Sequence, residues 1–445
     1  MFDLTSEAVS RFHEEFARDT KNIIARNAVA NNPVDKVAVD PDAASRMRHT
    51  FSHRIDDWKV CNQEKSGRCW IFAGLNTLRI RAAKKMKLKD FELSQAYTMF
   101  WDKLEKANHF LESIIETADE EIRSRIVMWL LDHPISDGGQ WHMFTNLIRK
   151  YGVVPKDVMP ETFNSSNSQY MNRFITLKLR EDALTLRDMH KKGLSNDALR
   201  ERKTEMMSEI YRMLAIHLGE PPTKFDWEYK EEKDDKNFYR DSGLTPIDFY
   251  NKYIGVNPDD YACLINSPTT DKPYKKLYTV RFLGNVIGGE DIKYLNIDIE
   301  TMKAAAAKQI TDGEPVWFGC DVGKMSSRES GILDPDMYNF ELLYGTKFKL
   351  DKAGRLDYGD SRMTHAMVFT GVDIDNGKPI RWRVENSWGE KIGNKGFFTM
   401  SDHWFNEYMY EVVVQKKYIP GELLPVLETE PIVLPPWDPM GSLAL

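Results

Sequence analysis

One cysteine of this sequence lies where its thiol could be activated as a nucleophile. Cys69 follows Ser66 and Gly67 in the segment NQEKSGRCWIFAG, at the predicted start of a helix, and Gln63 precedes it by six positions. The positive end of a helix dipole favours a thiolate and lowers the pKa of a thiol. The Cys69 backbone N–H and the Gln63 amide could donate to an oxyanion, and losing one such donor costs ~100–1,000-fold in rate. The segment therefore predicts nucleophilic catalysis by Cys69.

A predicted β-hairpin could supply the base. Asn376–Gly377 is typical of a two-residue hairpin turn. Counting outward from that turn, His365 faces Trp388, and Asn386 emerges on the same apolar face as His365. An asparagine oxygen that accepts from one ring nitrogen fixes the imidazole tautomer, so that the other nitrogen can act as a base. A lone histidine is more often a core residue, but the asparagine and tryptophan beside it favour a catalytic histidine.

The other three cysteines, Cys61, Cys263 and Cys320, lie in apolar contexts and are interpreted as packing residues. No two cysteines form a C-x-x-C pair, which argues against zinc and redox motifs, and four are too few for a disulfide framework. We therefore expect a reducing, cytoplasmic compartment and neither a cofactor nor a metal.

Composition describes an ordinary globular chain. It has 445 residues, of which 42% are hydrophobic and 29% charged, and this length predicts two to three domains. The net charge of −7 argues against a nucleic-acid partner, and the basic run at 79–89 is interpreted as the solvent face of a helix. No apolar run reaches the ~18 residues of a membrane span, and the N-terminal segment does not resemble a signal peptide, so we expect no membrane partner.

The predicted secondary structure that must position these residues changes from helices to strands along the chain. Helical periodicity is predicted for about 5–27, from 67 onward, and at 93–115 and 140–152, whereas short aromatic and β-branched strands dominate after 261, interrupted by a helix at 299–313. A charged helical stretch separates the two halves, and five prolines in the last 25 residues argue against any regular element there. The predicted units are an N-terminal arm 1–60, a helical lobe 61–164, a helical insertion 165–260 that mediates oligomerisation, a β-rich lobe 261–420 and a C-terminal arm 421–445.

Three segments resemble the papain-like cysteine peptidases. QEKSGRCWIFA, THAMVFTGV and VENSWG are similar to the glutamine, cysteine, histidine and asparagine segments of that family. Two departures stand out. Ser66 and Arg68 replace a cysteine and a small residue, so the disulfide of secreted relatives cannot form. Cys69 and His365 are also about 300 residues apart, roughly double the usual ~130–150.

LSQAY, DGGQWHMF and the ending LPPWDPMGSLA resemble the bleomycin hydrolase and aminopeptidase C branch. The resemblance implies an α+β, papain-like two-lobed fold and a cytosolic cysteine aminopeptidase that acts on peptides with a free N-terminus. It also implies a homohexameric ring and bleomycin-hydrolase-type amide hydrolysis. Gly138 and Gly139 would bind the substrate backbone, although a simple turn before a helix is the alternative. Trp70 and Trp388 would support the catalytic residues.

The C-terminal arm is expected to act as a substrate ruler. Trp437 would anchor it, and the small or apolar residues that follow could thread a cleft. Its end, at Ala444 and Leu445, would then meet the α-ammonium of the substrate. Leu445 extends one residue beyond the resemblance, which predicts that Cys69 removes it or that it occupies the cleft like a bound peptide.

Other functions stay open at this point. An endopeptidase on the same scaffold would cleave peptides blocked at the N-terminus. A catalytically silent assembly or binding protein would carry an unreactive thiol at position 69, which alkylation at pH 6 would reveal. Acyl transfer to an amine would use the same nucleophile, and only product analysis separates it from hydrolysis.

Overall fold

The computed structural model describes residues 2–55, 58–232 and 237–442. The α-helices are α1 Ser6–Arg18, α2 Thr20–Val29, α3 Val34–Ala38, α4 Pro41–Arg46, α5 Cys69–Met86, α6 Gln95–Glu116, α7 Arg125–Asp132, α8 Trp141–Tyr151, α9 Phe163–Ser166, α10 Gln169–Lys191, α11 Asn196–Leu218, α12 Pro246–Phe249, α13 Ile299–Thr311, α14 Phe340–Tyr344, α15 Lys352–Asp357 and α16 Asp402–Tyr408. The strands are β1 His53–Arg54, β2 Phe225–Lys230, β3 Phe238–Leu244, β4 Tyr261–Ile265, β5 Lys276–Val280, β6 Tyr294–Asn296, β7 Val316–Cys320, β8 Ser326–Ser327, β9 Ile332–Leu333, β10 His365–Asp375, β11 Lys378–Glu385, β12 Phe397–Ser401, β13 Met409–Gln415 and β14 Ile432–Leu434. No helix in these ranges is long and apolar enough to cross a membrane.

The helical lobe is built from α5, α6 and α8, which pack on one another. The apolar positions that predicted α5 are all buried, so the i, i+3, i+4 pattern is the face that forms the core. Ser94 caps α6 by accepting a hydrogen bond from the backbone of Tyr97. α8 ends at Gly152, whose φ of 67° favours glycine. These three predicted helices are confirmed.

The β-rich lobe is one large sheet, as the short strands predicted after residue 261 indicated. Its strand order is β14-β5-β6-β4-β13-β7-β10-β11-β12-β9-β8, with β1 pairing on β10. The sequence analysis missed β13, which lies between β4 and β7 in the middle of the sheet. Every residue of β13 is buried, so its sequence MYEVVVQ lacks the polar–apolar alternation of a half-exposed strand.

The hairpin of β10 and β11 turns at Asn376–Gly377, where both residues have positive φ, as the Asn-Gly signal predicted. Two register shifts interrupt the ladder, one between Asp373 and Ile374 and one between Phe369 and Gly371. They act in opposite directions, because Asp375↔Lys378 and Val368↔Glu385 are both equidistant from the turn. The two irregularities cancel, and the predicted alignment is restored just before the ladder reaches His365.

The segment predicted as a purely helical insertion also contains a β-hairpin. α10 and α11 are helices as predicted, and both pack on α6. β2 and β3 follow them and pair with each other. In FDWEYK the side chains alternate between half-buried and exposed, a period-two pattern that the many charges concealed. The aromatic side chains Phe225 and Trp227 contact Phe249. The boundaries of the predicted units stay a prediction.

The expectation that the last 25 residues form no regular element was wrong in part. Residues Gly421–Glu428 form a 3₁₀-helix, and β14 pairs in parallel with β5. Proline excludes long helices and central strands but permits a three-residue strand at a sheet edge. The arm is thereby fixed to the β-rich lobe before it turns toward the helical lobe.

Candidate active site

Cys69 is the first residue of α5 and is buried at the contact between the two lobes. Its Sγ accepts a hydrogen bond from the backbone nitrogen of Ala366 at 3.4 Å, so the thiol lies next to His365. Burial raises the pKa of the Cys69 thiol to about 11. The N–H groups of Ala366, Trp70 and Cys69 itself lower this pKa, as expected at a helix start, but they do not outweigh burial. The expected net lowering of the Cys69 pKa was therefore wrong for this buried thiol.

His365 is held as the sequence predicted. Its Nε2 lies 2.9 Å from Oδ1 of Asn386, which also accepts from the Ser387 backbone N–H at 2.8 Å. Because an amide oxygen can only accept, Nε2 carries the hydrogen and Nδ1 is the basic nitrogen. Trp388 covers the imidazole, with 4.9 Å between the ring centroids. Burial lowers the pKa of His365 to about 4, so the ring is neutral at physiological pH.

Gln63 is fixed by the same segment that holds the histidine. Its Oε1 accepts a hydrogen bond from the Ser387 hydroxyl at 2.6 Å, and its backbone nitrogen donates to the Ser387 carbonyl at 2.8 Å. Its Nε2 donates one hydrogen to the Ser66 carbonyl, which leaves the second N–H without a partner among the described residues. The structure therefore brings Gln63, Cys69, His365 and Asn386 together.

Ser66 and Arg68, the two departures from the papain-like pattern, form a buried polar network. The Arg68 guanidinium makes a bidentate ion pair with Glu161, at 3.0 and 2.7 Å, and its Nε donates to the Ser66 hydroxyl at 2.9 Å. That hydroxyl in turn donates to the Gln63 carbonyl at 2.7 Å. This network fixes the loop before Cys69 in a chain that has no disulfide in that place.

Asp137 joins this loop to the segment that carries Gly138 and Gly139. Its carboxylate accepts from the Gly67 backbone N–H at 2.9 Å and from the ammonium group of Lys103. Coulombic attraction and a hydrogen bond from Lys103 hold the pKa of Asp137 well below its usual range. Lys106, also buried, donates to the Gly138 carbonyl. Two buried lysines of α6 therefore fix the backbone beside the nucleophile.

Gly139 and Trp70 are in unusually close contact. The Trp70 indole donates from Nε1 to the Asp137 carbonyl at 2.6 Å, and a Cβ added to Gly139 would lie 2.4 Å from Trp70 Cε2. Only glycine fits there. Packing against Trp70 therefore explains the glycine at 139, and substrate binding by Gly138 and Gly139 stays a prediction beside the alternative of a turn before a helix.

The C-terminal arm reaches the same segment. Gln140 Nε2 donates to the Ser442 carbonyl at 3.0 Å. Asp438 forms a buried ion pair with Lys272 at 3.0 Å, and Trp437 stacks on the Arg125 guanidinium. A cavity of about 390 Å³ lies between the arm and the helical lobe. Ala444 and Leu445 lie outside the described residues, so their predicted roles stay predictions.

Possible metal ligands cluster elsewhere. Among the described residues, one group of three has suitable spacing, formed by Asp334, Asp336 and His403. Asp334 instead caps a one-turn helix and accepts from the Ser401 hydroxyl, and the other two are exposed. None of the residues that surround Cys69 belongs to this group.

The sequence analysis missed Glu161, Asp137 and the two lysines. A signal existed for the lysines, because Lys103 and Lys106 fall at helical spacing between Met99 and Phe110, on the apolar face of the helix. A lysine in such a position needs a buried partner. Glu161 and Ser387 carried no comparable signal, because their partners are far away in the sequence.

Comparison with known proteins places these observations in one family. Residues 3–441 match the peptidase C1-like family. The chain is 48% identical to aminopeptidase C of Listeria monocytogenes over 443 residues, covering 100% of this chain and 99% of that protein. It is 42% identical to human bleomycin hydrolase over 451 residues, covering 99% of each. The crystal structure of PepW from Lactobacillus rhamnosis superposes with a TM-score of 0.97 at 51% identity and covers 99% of both chains.

Proposed function

This chain belongs to the peptidase C1-like family and has the papain-like fold of a cysteine peptidase, and we propose that it is an aminopeptidase that releases N-terminal residues from peptides. One observation carries the proposal. Gln140, directly after the glycine pair, holds the arm at Ser442 through a hydrogen bond. This contact supports the proposal that the arm closes one end of the cleft beside Cys69 and leaves space for only the N-terminal residue of a peptide.

The reaction begins with transfer of the Cys69 proton to Nδ1 of His365. Both groups are neutral in the resting site, because burial raises the pKa of the thiol and lowers that of the imidazole. Transfer within the pair creates two adjacent opposite charges and leaves the net charge unchanged, so no isolated charge is buried. Asn386 accepts from Nε2 and stabilises the imidazolium that forms.

The thiolate attacks the carbonyl carbon of the scissile amide and forms a tetrahedral intermediate. Its oxyanion accepts from the Cys69 backbone N–H and from the unpartnered N–H of Gln63. His365 then donates its proton to the leaving amine, and the acyl-enzyme forms. Water attacks the acyl-enzyme with His365 as the base, which releases the amino acid and restores the thiol.

The arm would select substrates by their free amine. An α-ammonium next to the carboxylate at the end of the arm makes a charge-assisted contact of ~1.5–3 kcal/mol, which favours free over blocked amines by roughly 10–150-fold. Human bleomycin hydrolase is 42% identical over nearly the full chain, which supports a related amide hydrolysis here. If the arm left the cleft, the same machinery would act as an endopeptidase.

We expect the chain to assemble with itself, as a homohexamer. α10 exposes Tyr170, Phe174, Leu177 and Leu184 at helical spacing, and α1 buries none of its residues although Val9, Phe12 and Phe16 share one face. Such unpartnered apolar faces are suited to subunit contacts. Light scattering should give about six times the 51.6 kDa of one chain, and a monomer at micromolar concentration would contradict the assembly.

The cytoplasm is the compartment we expect. The four cysteines of the chain are all free, as a reducing compartment would keep them. Fractionation of the source cells would test this, and recovery of the protein outside the cytoplasmic fraction would contradict it.

A panel of aminoacyl reporters, each with a free and an acetylated amine, tests the function. The wild type should hydrolyse the free forms, Cys69→Ala and His365→Ala should abolish turnover without unfolding, and Cys263→Ala serves as a matched cysteine control. Deletion of the last five residues should reduce hydrolysis of free forms and create cleavage of N-blocked peptides. Near-normal turnover by Cys69→Ala would refute the cysteine-peptidase mechanism. A deletion variant that still requires a free amine would refute the proposal that the arm selects substrates by their free amine.

The fate of Leu445 has its own test. Intact mass should show the wild type without Leu445 and Cys69→Ala with it if the enzyme trims its own end. If each protein has the mass expected for its own sequence with Leu445 retained, self-trimming is refuted and only the role of Leu445 as an occupant of the cleft is left.

A further inference from the structure

The leaving-group side of the site can be identified from the residues around His365. As the general acid, His365 must stand next to the amine that departs. In the proposed function, the N-terminal residue of the substrate binds at the end of the cleft where Gln140 holds the arm at Ser442. Residues that surround His365 on the face away from the arm therefore border the part of the substrate that follows the scissile bond.

Trp388 packs on His365 from the β-rich lobe, whereas Gln140 belongs to the helical lobe. One contact of its indole is with the His365 ring, and Phe398 meets it edge to face at 5.8 Å. These contacts fix the ring in the wall of the cleft. A guanidinium lies on it, since Arg328 Cζ is 4.0 Å from the Trp388 ring centroid.

Arg328 has a positive charge that nothing in the described residues neutralises. Its side chain is exposed, and it forms no ion pair with a described carboxylate. The adjacent Glu329 is engaged with Lys36 instead. Stacking on a fixed tryptophan orders a guanidinium and leaves its N–H edge directed outward, which is how arginine is used to bind planar anions.

Resting on the proposed aminopeptidase function, we propose that Arg328 binds a carboxylate of the substrate on the leaving-group side of the scissile bond. Two sources have this chemistry. One is the free α-carboxylate of a dipeptide, and the other is an aspartate or glutamate side chain just after the scissile bond. Arg328 is therefore a specificity residue that favours dipeptides or acidic leaving residues.

The reach is consistent with such a short substrate. The leaving nitrogen contacts His365, and the α-carboxylate of the same residue lies about 3.5 Å further along the chain. The His365 ring and the Arg328 guanidinium both pack on the Trp388 indole, at 4.9 Å and 4.0 Å from its ring centroid. The positive charge of Arg328 also contributes to lowering the pKa of His365, which supports this proximity.

Two matched substrate pairs test the proposal, with kcat/KM measured at pH 7.5. Leucylglycine is compared with leucylglycinamide, and leucylglutamic acid α-amide with leucylglutamine α-amide. The variants are Arg328→Gln, Arg328→Lys, and the control Lys324→Gln, which removes a cation from the same loop. Leucyl-aminocoumarin, which has no carboxylate, reports the basal activity.

The wild type should prefer the carboxylate member of at least one pair by roughly 3–10-fold. Arg328→Gln should bring that ratio close to one, Arg328→Lys should retain part of it, and Lys324→Gln should retain all of it. A preference confined to leucylglycine assigns the α-carboxylate, and one confined to the glutamyl pair assigns the side chain. In addition, Arg328→Gln should move the acidic limb of the pH profile for leucyl-aminocoumarin to higher pH.

No preference in the wild type, or a preference that survives in Arg328→Gln, would overturn the proposal. Normal hydrolysis of leucyl-aminocoumarin in that case would leave the aminopeptidase function intact. Failure of the wild type to hydrolyse any substrate with a free amine would instead refute the function on which the proposal rests.

Discussion

Replacing Gly139 by alanine should damage the active site more than it damages the fold. The added Cβ would lie 2.4 Å from Trp70 Cε2 and 2.6 Å from two further atoms of the indole. An ordinary carbon–carbon contact is about 3.6 Å, so the two groups must separate by about 1.2 Å. The ring cannot rotate away cheaply, because it is buried and donates to the Asp137 carbonyl.

The displacement must therefore move either the backbone that is proposed to bind the substrate or the start of α5 beside Cys69. A misplacement of about 1 Å in a reacting geometry can cost ~100-fold in rate. Overpacking of a buried site costs roughly 1–3 kcal/mol of stability. We expect kcat/KM of Gly139→Ala to fall about 100-fold while the variant remains folded at 25 °C.

The assay combines aminoacyl-reporter kinetics with urea unfolding. Gly289→Ala is a control for an added Cβ elsewhere: Gly289 is exposed, in the loop between β5 and β6, and its Cβ would lie 2.8 Å from the Asn146 side chain. It should keep its activity. If Gly139→Ala loses no more activity than Gly289→Ala, the close contact with Trp70 does not position the site.

Three further predictions concern other parts of the site. Gln63→Ala should lower kcat by ~100–1,000-fold and change KM little, because the oxyanion exists only in the transition state; a change confined to KM would contradict this role. Because burial lowers the pKa of His365 to about 4, the imidazole stays basic down to that pH, and kcat/KM should fall only as the pH decreases through about 4; an acidic limb above pH 6 would show that His365 titrates as an exposed residue. Asp438→Asn should loosen the arm, because it removes one of the two carboxylates that pair with the buried Lys272 and leaves only Asp271; cleavage of N-acetylated peptides should appear, and the exchange Asp438→Lys with Lys272→Asp should suppress it.

Residues that act through local sequence could be predicted. The apolar periodicity of the residues after Cys69 predicted the helix that Cys69 begins. The Asn-Gly turn predicted which residues of the hairpin lie near His365. The prediction of the hairpin succeeded although two irregularities intervene, because they cancel. Along a hairpin of this length, the strand register depends on the packing of the whole sheet. Rules that consider only neighbouring residues do not include that packing.

Properties that depend on burial could not be predicted. The helix start does lower the pKa of the Cys69 thiol, but the dehydrated contact between lobes has the larger effect. The pairs Arg68–Glu161 and Lys103–Asp137 join residues far apart in the sequence, and neither position alone reveals its partner. β13 was missed for a related reason, since a strand covered on both faces has no alternation to detect.

Asn386, Ser387 and Trp388 are consecutive, yet each supports a different part of the site. Asn386 orients the base, Ser387 holds the Gln63 amide, and Trp388 covers the imidazole. Gln63 and Cys69 come from the helical side of the cleft and this tripeptide from the β-rich side, so the base and the oxyanion donor are both aligned only while the lobes are docked. Slight separation of the lobes would misalign both together. Turnover therefore depends on the docking of the two lobes. Mild denaturant should abolish turnover before either lobe loses its secondary structure.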